Sequence, residues 1–171
     1  QLKRSFARMR ADGTEGAIGV YTDLDTSLGR MERAFTALAR NEGKTLTVTF
    51  QRGMRARMDQ SDFEEVMGNL LDNAMKWAGS EVSLQASAEG DALIEIKISD
   101  DGPGIPKEEI SRATASGQRL DVSKPGTGLG LAIATDLITA YGGKILLGKD
   151  DTLGGLAVHL RIPVARKRPL D

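Results

Sequence analysis

Glu65, Asn69, Asn73 and Lys76 recur at intervals of four, four and three. At about 100° per residue they share roughly one quadrant of a helix. Asparagine suits a merely solvated face poorly, because it costs helix propensity relative to Glu, Lys or Ala. A carboxamide offers a neutral oxygen to a hard cation and an NH2 to an anion. A lysine one turn on adds positive charge at phosphate reach. The face reads either as a solvated surface or as a shelf for Mg2+ and a polyphosphate.

Two glycine clusters lie downstream. Asp100-Asp101-Gly102-Pro103-Gly104-Ile105-Pro106 follows an alternating apolar segment directly. Asp and Gly are ordinary turn residues, and alone the cluster reads as a loop. It would also let backbone approach a flat ligand while one carboxylate accepts from an exocyclic amine such as that of adenine. Pro125-Gly126-Thr127-Gly128-Leu129-Gly130-Leu131 opens a helix, and backbone N–H groups at such a start bind phosphate. The Gly-Lys-Ser/Thr ending of a P-loop is missing. The polar run before it is not the buried strand of a dinucleotide turn.

Counting narrows the chemistry further. The 171 residues include no cysteine and one histidine, so thiol nucleophiles, disulfides and multi-histidine metal sites are excluded. Basic and acidic residues number 23 and 24, which leaves no net field to attract nucleic acid or anionic lipid. No apolar run can span a bilayer. Aromatic residues make up 4% of the chain, so the core must be aliphatic. The start at Gln1 reads as a piece of something longer.

The elements that must position these residues follow from periodicity. Leu2, Phe6 and Met9 suggest the end of an amphipathic helix, followed by a glycine loop. A helix is expected from about Asp23 to Asn41, with Thr22 as cap, Asp25 as its capping-box partner and Gly43 as the stop. Lys44 to Phe50 alternates as a strand, with Met54 to Asp59 as a possible neighbour. Asp62 to Ala78 is a helix opened by a Ser61/Glu64 capping box. Its apolar face carries Phe63, Val66, Met67, Leu70, Leu71, Ala74, Met75 and Ala78. Strands are expected around Val82–Ala86, Ile94–Ile98, Ile145–Leu147 and Leu156–Ile162, mostly as antiparallel neighbours. A helical turn after Pro106 and a helix from Gly128 to Tyr141 complete the set. His159 should point away from its apolar neighbours, as a surface or satisfied residue. The expected class is α/β: a two-layer sandwich of one mixed sheet with helices on one face.

Taken together and in this order, the clusters resemble a known family. Asn69-Leu70-Leu71-Asp72-Asn73-Ala74-Met75-Lys76-Trp77 resembles the N box of the GHKL superfamily of ATP-binding domains, Asp100 to Gly104 its G1 box, and Gly126 to Leu131 its G2 box. Within it, the chain is similar to the catalytic domain of bacterial sensor histidine kinases. Glu65 to Asn69, Asp100 to Pro106 and Gly117-Gln118-Arg119 resemble the PhoQ type. The resemblance covers about 44–163 as the ATP-binding domain. It leaves 1–43 as the end of a dimerisation helix, a linker and a first helix, and 164–171 as a basic tail. It implies the Bergerat fold, with ATP and Mg2+ as ligands.

By position, the resemblance implies that Asn73 ligates Mg2+ and Asn69 supports the metal and phosphates. Lys76 would contact phosphate, and Trp77 would lie beside the nucleotide. Asp100 would accept from the adenine amine, with Gly102, Gly104 and Ile105 shaping the base pocket. Gly126, Thr127, Gly128, Leu129 and Gly130 would meet the phosphates. Gln118, Arg119 and Lys124, in a lid between the glycine boxes, would reach the terminal phosphate. Asn69, Lys76 and Arg119 would be the catalytic set. The lid departs from the family pattern, with Ala113-Thr114-Ala115-Ser116 where a Phe and a following Arg are usual.

The activity implied is transfer of the γ-phosphoryl group to a histidine on a dimerisation domain absent from this chain, and thence to a response regulator. No nucleic acid would be involved. The parent would be a homodimer anchored in the bacterial inner membrane with this domain in the cytoplasm. Three alternatives stand beside it: a nucleotide-binding module with weak or no transfer, an anti-sigma-factor-type serine kinase, and an ATP-hydrolysing clamp of the gyrase or Hsp90 type. The clamp needs a glutamate four residues before the metal asparagine, where this chain has Asn69.

Overall fold

The computed structural model describes residues 20–104 and 127–165. Five strands form one sheet: β2 (Thr45–Phe50), β4 (Glu81–Glu89), β5 (Leu93–Asp100), β6 (Lys144–Lys149) and β7 (Leu156–Pro163). Their spatial order is β2-β4-β5-β7-β6. The β2–β4 pair is parallel and the other three pairs are antiparallel, so the sheet is mixed. A parallel pair needs a long crossover. Here it contains the helix α2 (Gln60–Trp77).

Alternation explains which side of the sheet is covered. Val82, Leu84 and Ala86 on β4, Ile94, Ile96 and Ile98 on β5, and Leu156, Val158, Leu160 and Ile162 on β7 are all buried. Against them lie the apolar faces of α2 and of α3 (Thr127–Ala140), including Phe63, Leu70, Leu71, Leu131 and Ile138. Each fully buried side chain of this size contributes about 1.5–3 kcal/mol. The opposite sheet face is polar. His159 stands there as expected, its Nδ1 3.2 Å from Glu95 Oε1. This is the expected two-layer α/β sandwich.

The local edges differ from the sequence reading in instructive ways. The helix α1 (Leu24–Asn41) is capped by Asp23, which accepts from the Asp25 N–H, and not by Thr22. The Thr22 hydroxyl instead donates to Met58 O at 2.8 Å, within the two-residue strand β1 (Thr22–Asp23). The Asp25 carboxylate accepts from Gly53 N rather than closing a capping box. Similarly, α2 starts at Gln60 under Asp59, which accepts from the Asp62 N–H, so Ser61 is not its cap. Glu64 accepts from Arg30 and Ser27 on α1. In each case two capping residue types stand close together, and an aspartate is the one that caps. Met54 to Asp59 does not pair with β2: its strand β3 (Arg55–Ala56) pairs with β1. Gly43, at φ 70°, follows α1 as expected.

Candidate nucleotide site

Three stretches converge at one end of the sandwich. The last turn of α2 carries Asn73 and Trp77, β5 ends in Asp100, and α3 begins beside α2. Lys44 Nζ donates to Met75 O at 2.5 Å and so closes a carbonyl at the C-terminal end of α2.

Asp100 is 3% exposed. Its Oδ1 accepts from Gly102 N (2.9 Å) and Leu156 N (3.4 Å), and no hydrogen bond from the described residues ends on Oδ2. Desolvation raises its pKa above the usual aspartate value. The two N–H donors oppose that shift, and the charges of Asp101 and Asp150 add to it. Two glycines make the fit. A Cβ on Gly102 would strike the Trp77 carbonyl oxygen, and one on Gly155 would strike Asp100 itself. Gly104 adopts φ 73°, which disfavours any residue with a Cβ.

Gly155 is missing from the sequence reading, which names Asp101 in the turn but gives it no role of its own. Gly155 belongs to a Gly154-Gly155 pair just before the last strand, and that pair is the signal that marks a close approach. Asp101 accepts from Gly79 N, Ser80 N, Ser80 Oγ and Glu81 N at 2.7–3.1 Å. These donors outweigh desolvation and lower its pKa to about 2. Asp101 thus ties the exit of α2 to the turn that holds Asp100. The donor-rich Gly79-Ser80 turn could have indicated such an acceptor.

On α2, Asn73 is buried (6% exposed), and its Oδ1 has no hydrogen-bond partner among the described residues. Asn69 is half-buried, and its Nδ2 is likewise without a partner there. Buried polar groups normally find partners, so two in one stripe point to a ligand that supplies them. Gly130 fits against Asn69, whose Cβ lies 3.7 Å from where a Cβ on the glycine would stand. The missing side chain lets the start of α3 pack onto the asparagine stripe. The first-turn N–H groups of an α-helix have no intrahelical partners, a feature that suits an anion. Lys76 is exposed, its Nζ 3.6 Å from Asp72 Oδ2, a surface pair weak enough to yield to a phosphate.

The donor set suits a hard cation that arrives with a polyphosphate. One neutral carboxamide oxygen is offered, and the described residues hold no cluster of three His, Cys, Asp or Glu. Thr127, Gly128 and Leu129 lie within α3, and only their backbone belongs to the described set. Ile105, Gln118, Arg119, Lys124 and Gly126 lie outside that set altogether, with the helical turn after Pro106, the lid residues Ala113 to Ser116 and the tail from Arg166. The structure therefore brings together Asn69, Asn73, Trp77, Asp100, Gly102, Gly104 and Gly130.

Comparison with known proteins agrees with this geometry. The family described as histidine kinase-, DNA gyrase B- and HSP90-like ATPase matches residues 58–166. The sensor protein kinase CarS of Pseudomonas aeruginosa is 45% identical over 114 residues, covering 67% of this chain and 25% of its own. The virulence sensor histidine kinase PhoQ of Salmonella typhimurium is 41% identical over 111 residues, 65% of this chain and 22% of its own. The chain thus spans about a quarter of the length of these relatives. Among solved structures, the mycobacterial sensor histidine kinase MprB superposes with a TM-score of 0.69 at 29% identity, over 86% of this chain and 98% of that one. The chain belongs to the histidine kinase-, DNA gyrase B- and HSP90-like ATPase family, as an ATP-binding catalytic domain of the sensor histidine kinase type.

Proposed function

We propose that this domain holds Mg-ATP and presents its γ-phosphoryl group to a histidine on the dimerisation domain of its parent kinase, which then phosphorylates a response regulator. The observation that carries this reading is the pairing of a buried acceptor, Asp100, with the buried Asn73, whose carboxamide oxygen has no partner among the described residues, at the same end of the fold. Asp100 Oδ2 accepts from the adenine amine, the carboxylate being held by the close approach that Gly102 and Gly155 allow. The first turn of α3 and Lys76 hold the phosphates, and Asn69 supports them. Asn73 ligates Mg2+, which when bound neutralises phosphate charge during transfer. Arg119, Gln118 and Lys124 meet the terminal phosphate from the lid. The chain's work is positioning and charge neutralisation.

The attacking histidine comes from elsewhere. His159 lies on the outer sheet face beside Glu95 and is not the acceptor. No helix among the described residues is long and apolar enough to cross a membrane. Membrane anchorage and dimerisation belong to the parent in this reading, with the present domain on the cytoplasmic side. The test is a titration with a fluorescent ATP analogue, with and without Mg2+, followed by addition of the dimerisation domain in trans. Saturable Mg2+-dependent binding and acid-labile phosphohistidine are expected. Binding without transfer would instead favour a nucleotide-binding regulatory module.

A further inference from the structure

One buried polar pair lies far from Asp100 and takes no part in the chemistry above. Tyr141, the residue after α3, donates its hydroxyl to Asp62 Oδ2 at 2.5 Å. Asp62, in the first turn of α2, is 1% exposed, and Tyr141 is 5% exposed. Burying a carboxylate is costly, and an apolar pair of similar volume would hold the core at least as well. What an apolar pair lacks is direction.

Direction matters at this place. The start of α2 meets the end of α3 at Asp62 and Tyr141, while Asn69 meets Gly130 near the start of α3. The two helices therefore run antiparallel, and α3 aims its first turn along the asparagine stripe. Between those points the buried residues of α3 are Leu131, Ala134, Leu137 and Ile138. Aliphatic contacts are non-directional, and Gly130 offers no side chain to stop a slide along α2. The far end is anchored: Gly142 turns at φ 78°, Gly143 N bonds Ile138 O, and a Cβ on Gly143 would meet the Arg161 carbonyl.

We propose that Tyr141 and Asp62 are positioning residues: their hydrogen bond sets the axial register of α3 on α2, and with it the reach from the first turn of α3 to Asn69 and Asn73. The inference rests on the nucleotide-site reading above. Burial and the Asp62 carboxylate both push the Tyr141 hydroxyl pKa up, so it stays a donor throughout the working pH range.

The experiment uses the 171-residue chain, with a fluorescent ATP analogue displaced either by Mg-ATP or by adenosine. Adenosine probes the Asp100 pocket alone, whereas Mg-ATP also needs the start of α3. Tyr141→Phe is expected to weaken Mg-ATP about fivefold while changing adenosine less than about twofold. Asp62→Asn, which keeps an oxygen acceptor for the hydroxyl, should stay near the unaltered chain for both ligands. Equal losses for the two ligands, or no loss for Mg-ATP, overturn the proposal. Should Tyr141→Phe fail to fold, Tyr141→His offers a ring N–H of different reach and is judged by the same split. If the unaltered chain binds no Mg-ATP, the site reading falls and takes this one with it. If Asn73→Ala loses Mg-ATP but Tyr141→Phe does not, only the positioning role falls.

Discussion

Asp100 and Asp101 are neighbours with opposite linkage. Asp101 has its folded pKa lowered to about 2, against an ordinary value of 3.8. Between those values the unfolded chain binds more protons, so stability rises with pH. Its contribution is complete above about pH 4 and is lost as pH falls towards 2. Asp101→Asn should flatten that part of the acid limb, as read from urea midpoints across pH 2–6. Asp100 is raised, so the folded chain binds more protons above 3.8, and its ionisation costs stability as pH climbs through the raised value. Asp100→Asn should relieve that slope yet weaken ATP binding by about tenfold, because an amide cannot repeat a charged acceptor on both oxygens. Calorimetric titration checks the second effect. Asn73→Ala should likewise lose at least about tenfold in Mg-ATP affinity, with adenosine unchanged. Asn73 stood out through its spacing from Asn69, and Asp100 only through the resemblance that its glycine turn carries. The sequence hid the role of Asp101, because what gives that residue its role is a set of backbone N–H groups, and these have no side-chain signature.

Elements inherit their precision from small residues. Gly155 opens β7 against Asp100, with no room for a Cβ, whereas Gly148 in β6 has nothing within 4 Å of that position. Gly155→Ala should cost about 1–3 kcal/mol of stability through overpacking, and should lower ATP affinity by moving the carboxylate. Gly148→Ala should be neutral or slightly stabilising, by up to about 1 kcal/mol. Thermal and urea melts of the two variants decide the comparison. The strands and helices were readable because their apolar residues repeat with period 2 or 3.6. The caps misled because Thr22 and Ser61 are good capping types beside the residues that do the work, Asp23 and Asp59. The strands β1 and β3, of two residues each, are too short to carry a period.

At the scale of the molecule, the helices cover one sheet face and ion pairs line the other. Lys97 sits 2.8 Å from the buried Asp150, and Arg161 lies 3.3 Å from Glu89. The fold class could be read from the sequence because those outward positions are mostly polar, with Leu146 an exposed exception. The β2–β4 pairing direction could not, because parallel and antiparallel strands alternate alike. Ligand linkage belongs to this scale. At a hundredfold excess over its Kd, Mg-ATP should stabilise the fold by about 2.7 kcal/mol. That raises Tm by roughly 5–10 °C for a domain of this size. Chelating the metal should remove most of the gain, as followed by differential scanning calorimetry.

The β5–β7 pairing has a kinetic consequence. The β4–β5 hairpin closes locally from Glu89 to Leu93, whereas Ile98 must find Val158 across a long stretch of chain. Non-local closure is slow. Yet only that closure brings Gly155 and the Leu156 N–H onto Asp100. During refolding, helical ellipticity should therefore recover before a fluorescent nucleotide can bind. A growing chain would gain its grip on ATP only after β7 had joined the sheet.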